Sequence, residues 1–206
     1  MVDAISGSGS VPTSFGLMGA GYLTPDALMT YCSTRLRGLD DQINGIMTQQ
    51  QQANDDSSVL SQLTGELDWG SDDLKVSGKA DEDGTLKANA QHLLDAANKV
   101  EDPKVAGELK ALAQKLVTVT GDPPNATMDA SAPVALAAKT YKPEELKDLI
   151  TTPVSGIQKD LNAGTELGMI NLQSLMSQRQ SAVQTVTNLV QALGDQMNKI
   201  SANIGH

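Results

Sequence analysis

Residues 170–205 read INLQSLMSQRQSAVQTVTNLVQALGDQMNKISANIG. Leu172, Arg179, Val186, Leu193 and Ile200 fall seven apart. Leu175, Ala182 and Leu189 form a second set three places on. Met176, Val183, Val190, Met197 and Ile204 form a third set that is apolar throughout. Residues three and four apart share one face of an α-helix. An apolar set recurring every seven residues also lets two helices pack side by side in a left-handed supercoil. Gln173, Ser174, Ser177, Gln178, Gln184, Asn188, Gln191, Asp195 and Lys199 take the other face. The stretch predicts a long amphipathic helix with a wide apolar stripe that needs a partner. Arg179, Gln196 and Asn203 interrupt the stripe. A polar residue in such a seam costs stability and fixes register or partner number. An arginine there can also carry its charged head past its neighbours to water.

A matching stripe lies near the other end. Leu28, Cys32, Leu36, Leu39, Ile43 and Ile46 follow at spacings of four and three. Thr24-Pro25-Asp26 is a good helix start, with a capping hydroxyl, a first-turn proline and an acid at the positive end of the helix dipole. The stripe fades through Gln49–Gln52 and Asn54-Asp55-Asp56, then resumes at Leu60, Leu63 and Leu67. This predicts a long helix, frayed or broken near Asp55. The fold expected is therefore mainly α: a long antiparallel helical hairpin, coiled-coil-like, with a small helical and irregular insertion at one end. The segments are a Ser/Gly-rich leader (1–22), the first long helix (23–67), the insertion (68–141) and a C-terminal helical region (142–206). The interface expected in such a coiled coil is Leu36, Leu39, Ile43 and Ile46 on the first helix. On the last it is Leu172, Leu175, Met176, Arg179, Val183, Val186, Leu189, Val190, Leu193, Met197, Ile200 and Ile204.

Within the insertion, residues 68–85 are polar, acidic and punctuated by Gly70, Gly78 and Gly84, which predicts loop or a weak hairpin. Leu74-Lys75-Val76 suits a short strand. Asp81-Glu82-Asp83-Gly84 invites a calcium reading, but the EF-hand pattern would put Lys79 at its first ligand position and Ala90 at its twelfth. Neither can serve. Residues 86–100 and 104–117 predict two short helices, with Ala90, Leu93, Leu94, Ala97 and Val100 inward on one and Val105, Leu109, Leu112, Ala113 and Leu116 on the other. Residues 118–141 predict a connector. Pro143 starts a short helix to Ile150, Pro153 interrupts it, and Gly164 and Gly168 predict a kink further on.

Composition narrows the function. Aromatic residues make up 2% of the chain, so the core must rely on aliphatic side chains, as helix bundles do. Net charge is −10, and no basic cluster is present that would neutralise phosphates, which argues against nucleic acid and against anionic lipid. Cys32 is the single cysteine, so an intrachain disulfide is impossible. With only His92 and His206 beside it, the usual structural zinc sites are excluded. Cys32 reads as a small buried hydrophobe, and His92 as a structural histidine. No apolar run of ~18 residues is present, so no integral membrane segment is expected. Neither is a Sec-type signal peptide. No catalytic motif is found, so no enzyme activity, cofactor or metal is expected.

Leu175-Met176-Ser177-Gln178, Asn188-Leu189-Val190 with Leu193, and the run to Ile200 and Ile204 resemble the C-terminal helix of a known family. It comprises the extracellular filament and needle-tip proteins of bacterial type III secretion systems, both the EspA-type filament proteins and the LcrV/IpaD-type tip proteins. The resemblance covers about a fifth of the chain. It implies a secreted structural component at the bacterial cell surface, exported without a cleaved signal and self-assembling at the needle tip or into a filament. It implies a homo-oligomer that meets the needle subunit, pore-forming translocator proteins and a cytosolic export chaperone. Chain length matches the shorter, filament-type members. The absence of disulfides and the scarcity of aromatics suit a chain that must unfold to be exported. A soluble helical module, such as an export chaperone or adaptor, is the competing expectation.

Overall fold

The computed structural model describes residues 25–77, 84–129 and 131–204. The leader, Thr24 and the Asp81–Asp83 acidic run lie outside the described residues. The chain is mainly α. Its elements are α1 (Pro25–Glu66), β1 (Leu74–Lys75), α2 (Gly84–Lys99), α3 (Pro103–Leu116), β2 (Val119–Thr120), β3 (Thr127–Met128), β4 (Thr140–Tyr141), α4 (Pro143–Leu146), a π turn (Lys147–Thr151) and α5 (Thr152–Ile204). The last three join without a gap into 62 helical residues. Two compact units are formed, residues 39–178 and residues 25–38 with 179–204.

The larger unit holds the core. Leu60 and Leu63 of α1, Leu86, Leu93, Leu94 and Ala97 of α2, Leu109, Ala113 and Leu116 of α3, and Leu146, Ile150 and Val154 of the C-terminal helix are buried together. The inward faces expected for residues 86–100 and 104–117 are the faces that pack here. The insertion thus supplies most of the core. Asp102 caps α3 by accepting from the Lys104 and Val105 amides, and Pro103 sits in its first turn, where a missing N–H costs nothing.

Helices α1 and α5 run antiparallel within this unit. Gln50 Nε2 donates to the Thr165 carbonyl at 3.2 Å, and Ser57 Oγ to Asn162 Oδ1 at 3.2 Å. Further along, Trp69 Nε1 donates to Thr151 Oγ1 at 3.0 Å. As one helix number rises, its partner's falls. The seam side chains of α1 recur at heptad spacing: Leu39, Ile43, Ile46, Gln50, Ala53 and Ser57. Opposite them on α5 the half-buried residues are Leu161, Thr165, Gly168, Leu172 and Leu175. Gln50 lies where Gly168 makes room for its side chain. This polar layer holds register as a buried polar group does in coiled coils.

Two asparagines on α2 fasten the irregular segments. Asn89, buried, accepts from the Asp68 amide and donates to the Asp68 carbonyl. Asn98 brackets Ala126 in the same way. Each side-chain amide substitutes for a strand partner, satisfying both backbone groups of one loop residue. His92 Nδ1 lies 3.1 Å from Glu66 Oε2, which gives it the structural partner expected.

Two expectations are corrected and a third is narrowed. First, α1 is unbroken from Pro25 to Glu66, so no break occurs near Asp55. The physical reason is Asp56, which is 2% exposed. Its two carboxyl oxygens accept from the Glu101 and Asp102 amides at 2.8 and 3.0 Å, where α2 hands over to α3. The polar middle of the helix is therefore a packed contact. Second, Pro153 does not interrupt the C-terminal helix. The π turn precedes it, with the Thr152 amide bonded to the Lys147 carbonyl, and this wider turn absorbs the proline. Third, of the two expectations for 68–85, loop or a weak hairpin, the described residues show loop around β1. That strand pairs antiparallel with β4, Leu74 opposite Tyr141 and Lys75 opposite Thr140. The 118–141 connector also contains the β2–β3 ribbon, Val119 opposite Met128 and Thr120 opposite Thr127.

The smaller unit consists of the start of α1 and the end of α5. Leu28, Cys32 and Leu36 are half-buried on α1, and Ala182, Val186, Leu189 and Leu193 on α5. Cys32, expected to be buried, is half-buried.

Candidate assembly interface

The twelve α5 residues named as a coiled-coil interface separate into two groups. Leu172, Leu175, Val186, Leu189 and Leu193 are half-buried, as are Leu36, Ile43 and Ile46 on α1, while Leu39 is buried. Met176, Arg179, Val183, Val190, Met197, Ile200 and Ile204 are exposed. The division follows from helix geometry. With 3.6 residues per turn, a residue four places on lies about 40° further round, and one place on about 100°. The third apolar set is four places from the first and one from the second. Packing that covers the second set and Leu172, Val186 and Leu193 of the first leaves the third on the flank, facing water; Arg179 and Ile200 of the first set are exposed as well.

In the smaller unit that flank is Val183, Val190, Met197 and Ile204, with Ile200 beside it. Exposure rises along the helix, from 47% at Val190 to 73% at Met197 and 79% at Ile204. Single exposed apolar residues are ordinary, but an ordered row of them marks an interaction surface. In the larger unit the exposed apolar residues of α5 are Leu167, Met169, Ile170 and Met176. Leu167 and Ile170 fall outside all three heptad sets, and periodicity alone did not single them out.

The larger unit also carries an open groove of about 660 Å³. Its apolar floor includes Ile46, Ala53, Val105, Ile157 and Leu161, with Gly164 and Gly168 along one side. Glu101, Asp102, Glu108 and Asp160 are among its polar lining, with Lys104 the basic member. Asp56 lines it too, its oxygens bonded to backbone amides as above. No sequence signal marked this groove, because its walls come from three helices far apart in the chain.

Among the described residues no group of three or more His, Cys, Asp or Glu side chains is placed to hold a metal ion. The carboxyl groups that are shifted lie elsewhere: Lys110 beside Asp122 holds its carboxyl below the usual range, and the Ser131 hydroxyl and amide do so for Asp129. No described helix is long and apolar enough to cross a membrane. Compared with protein-family models, curated proteins and solved structures, the chain gave no match.

Proposed function

We propose that this protein is a secreted structural subunit of a bacterial type III secretion apparatus, self-assembling at the needle tip or into an extracellular filament that links needle to translocation pore. The observation that carries the assembly reading is the apolar heptad row of α5 left uncovered by α1. A sequence that keeps Val183, Val190, Met197 and Ile204 apolar at every second turn, while placing Gln184, Gln191 and Asn198 next to them, specifies a second packing face. The type III assignment rests on the resemblance of the terminal helix, and the scarcity of disulfide-forming and large aromatic residues agrees with export of an unfolded chain.

The face separates two substitutions that sequence alone treats as equivalent. Leu189→Asp places a charge in the half-buried seam and loosens the hairpin of its own chain. Val190→Asp places it on the exposed row and leaves the fold intact. The expected outcome for Val190→Asp is about a tenfold or greater loss of self-association in sedimentation, with unchanged far-ultraviolet circular dichroism. Oligomers of wild-type strength from Val190→Asp would refute the assembly face. Export is read separately, by the protein's presence in culture supernatant only when the type III export machinery works. Retention in the cytosol in fixed stoichiometry with one client would instead make it a chaperone or adaptor.

A further inference from the structure

On α5 in the smaller unit the last half-buried residue is Leu193, and on α1 the first described one is Leu28. From Gly194 to Ile204 every residue of α5 is exposed. At 1.5 Å per residue these last three turns run about 16 Å past the cover that α1 gives. The sequence pattern changes at the same place. The second heptad set is apolar through Leu189, but its next members are Gln196 and Asn203. The large apolar residues that remain are Met197, Ile200 and Ile204, which are 73%, 57% and 79% exposed. Where α1 stops, the apolar face therefore turns away from the seam, toward a partner other than α1.

The chain that precedes α1 joins it at this end. Pro25 is the first residue of α1, and a residue before proline is biased toward extended backbone, which predicts an extended entry at about 3.3 Å per residue. About five such residues span the three turns. Residues 15–23 read FGLMGAGYL, with Phe15, Leu17, Met18, Tyr22 and Leu23 and no charged residue, and the leader's serines all lie before them. That is not the composition of a solvated tail. We propose that this segment of the same chain seats Leu17, Met18, Tyr22 and Leu23 over Met197, Ile200 and Ile204. Covalent linkage selects the occupant. A tether this short gives an effective concentration of about millimolar, which a second copy would have to reach to compete. The contact lies within one chain and leaves Val183 and Val190 open, so it goes beyond the assembly reading and does not depend on it.

Amide hydrogen exchange of the full chain, read by mass spectrometry at dilutions where sedimentation shows monomer, tests the contact. The amides of residues 194–204 should exchange at least about tenfold more slowly in wild type than in a variant carrying Leu17→Ser, Met18→Ser, Tyr22→Ser and Leu23→Ser. Exchange in α2 and α3 should be the same in both, which shows that the variant is folded. Met197→Ser with Ile204→Ser should speed exchange of residues 15–23 in return. Equal exchange of residues 194–204 in wild type and the leader variant overturns the proposal. So does protection that arises only as concentration rises and oligomers form, since the occupant is then a second copy; the assembly reading stands in that case. Leader-dependent protection in a wild type that stays monomeric at every concentration supports the proposal and removes the assembly reading instead.

Discussion

Asp56→Ala is the substitution whose cost the structure defines most closely. The side chain is 2% exposed, in the middle of a helix of 42 residues, and bonds no side chain; its carboxyl oxygens accept from the Glu101 and Asp102 amides. Truncation to alanine leaves both amides without that acceptor. A buried donor left unsatisfied costs about 1–3 kcal/mol, so two would cost roughly 2–6 kcal/mol. Glu101 is exposed and Asp102 only half-buried, so water reaches this junction in part. We expect the lower half of that range, about 2–4 kcal/mol. Asp56→Asn keeps one acceptor oxygen and turns an NH2 group toward the other amide, so about half the loss is expected. Asp55→Ala, on the exposed side of the same turn, should stay within about 0.5 kcal/mol of wild type. Urea unfolding followed by the fluorescence of Trp69, the single tryptophan and a buried one, reads all three. An Asp56→Ala variant as stable as Asp55→Ala would refute the reasoning and return the polar middle of α1 to a merely tolerated interruption.

Two further outcomes follow from the turn after β2. Gly121 has φ +75°, and a Cβ there would lie 2.8 Å from the Asn125 carbonyl oxygen, so Gly121→Ala should cost about 1–3 kcal/mol in the same unfolding assay and disturb the β2–β3 ribbon. Asp122 has its carboxyl held below the usual range first by the hydrogen bond from Lys110 and then by that residue's charge. A depressed folded value means this interaction stabilises the fold above the ordinary carboxylate range near pH ~4 and is lost as pH falls through the lowered value. A carboxyl-detected titration by nuclear magnetic resonance should place Asp122 below the ordinary midpoint in wild type and close to it in Lys110→Gln; equal midpoints would show that Lys110 is not the cause.

Much of the architecture was legible in spacing alone. The heptads of α5 and the start of α1, the two short helices of the insertion and the Leu74-Lys75 strand are all local patterns, set by which side chains can share a face. Less visible were contacts between distant parts of the chain. Asn54-Asp55-Asp56 looks like a helix break because asparagine and aspartate favour turns and caps. Nothing local reveals that Asp56 meets two amides some 45 residues on. Pro153 looks like a stop for the same reason, and only the π turn before it shows how the helix passes through.

The sequence by itself determined that this chain forms long amphipathic helices with a stripe wider than one partner can cover, because periodicity is a property of order along the chain. The tertiary structure alone decided which part of the stripe is covered. Leu189 and Val190 are both apolar neighbours in that stripe, yet one turns toward the other half of its hairpin and the other toward solvent. That choice depends on where the first turns of α1 lie, whose Leu28, Cys32 and Leu36 are half-buried in the same unit.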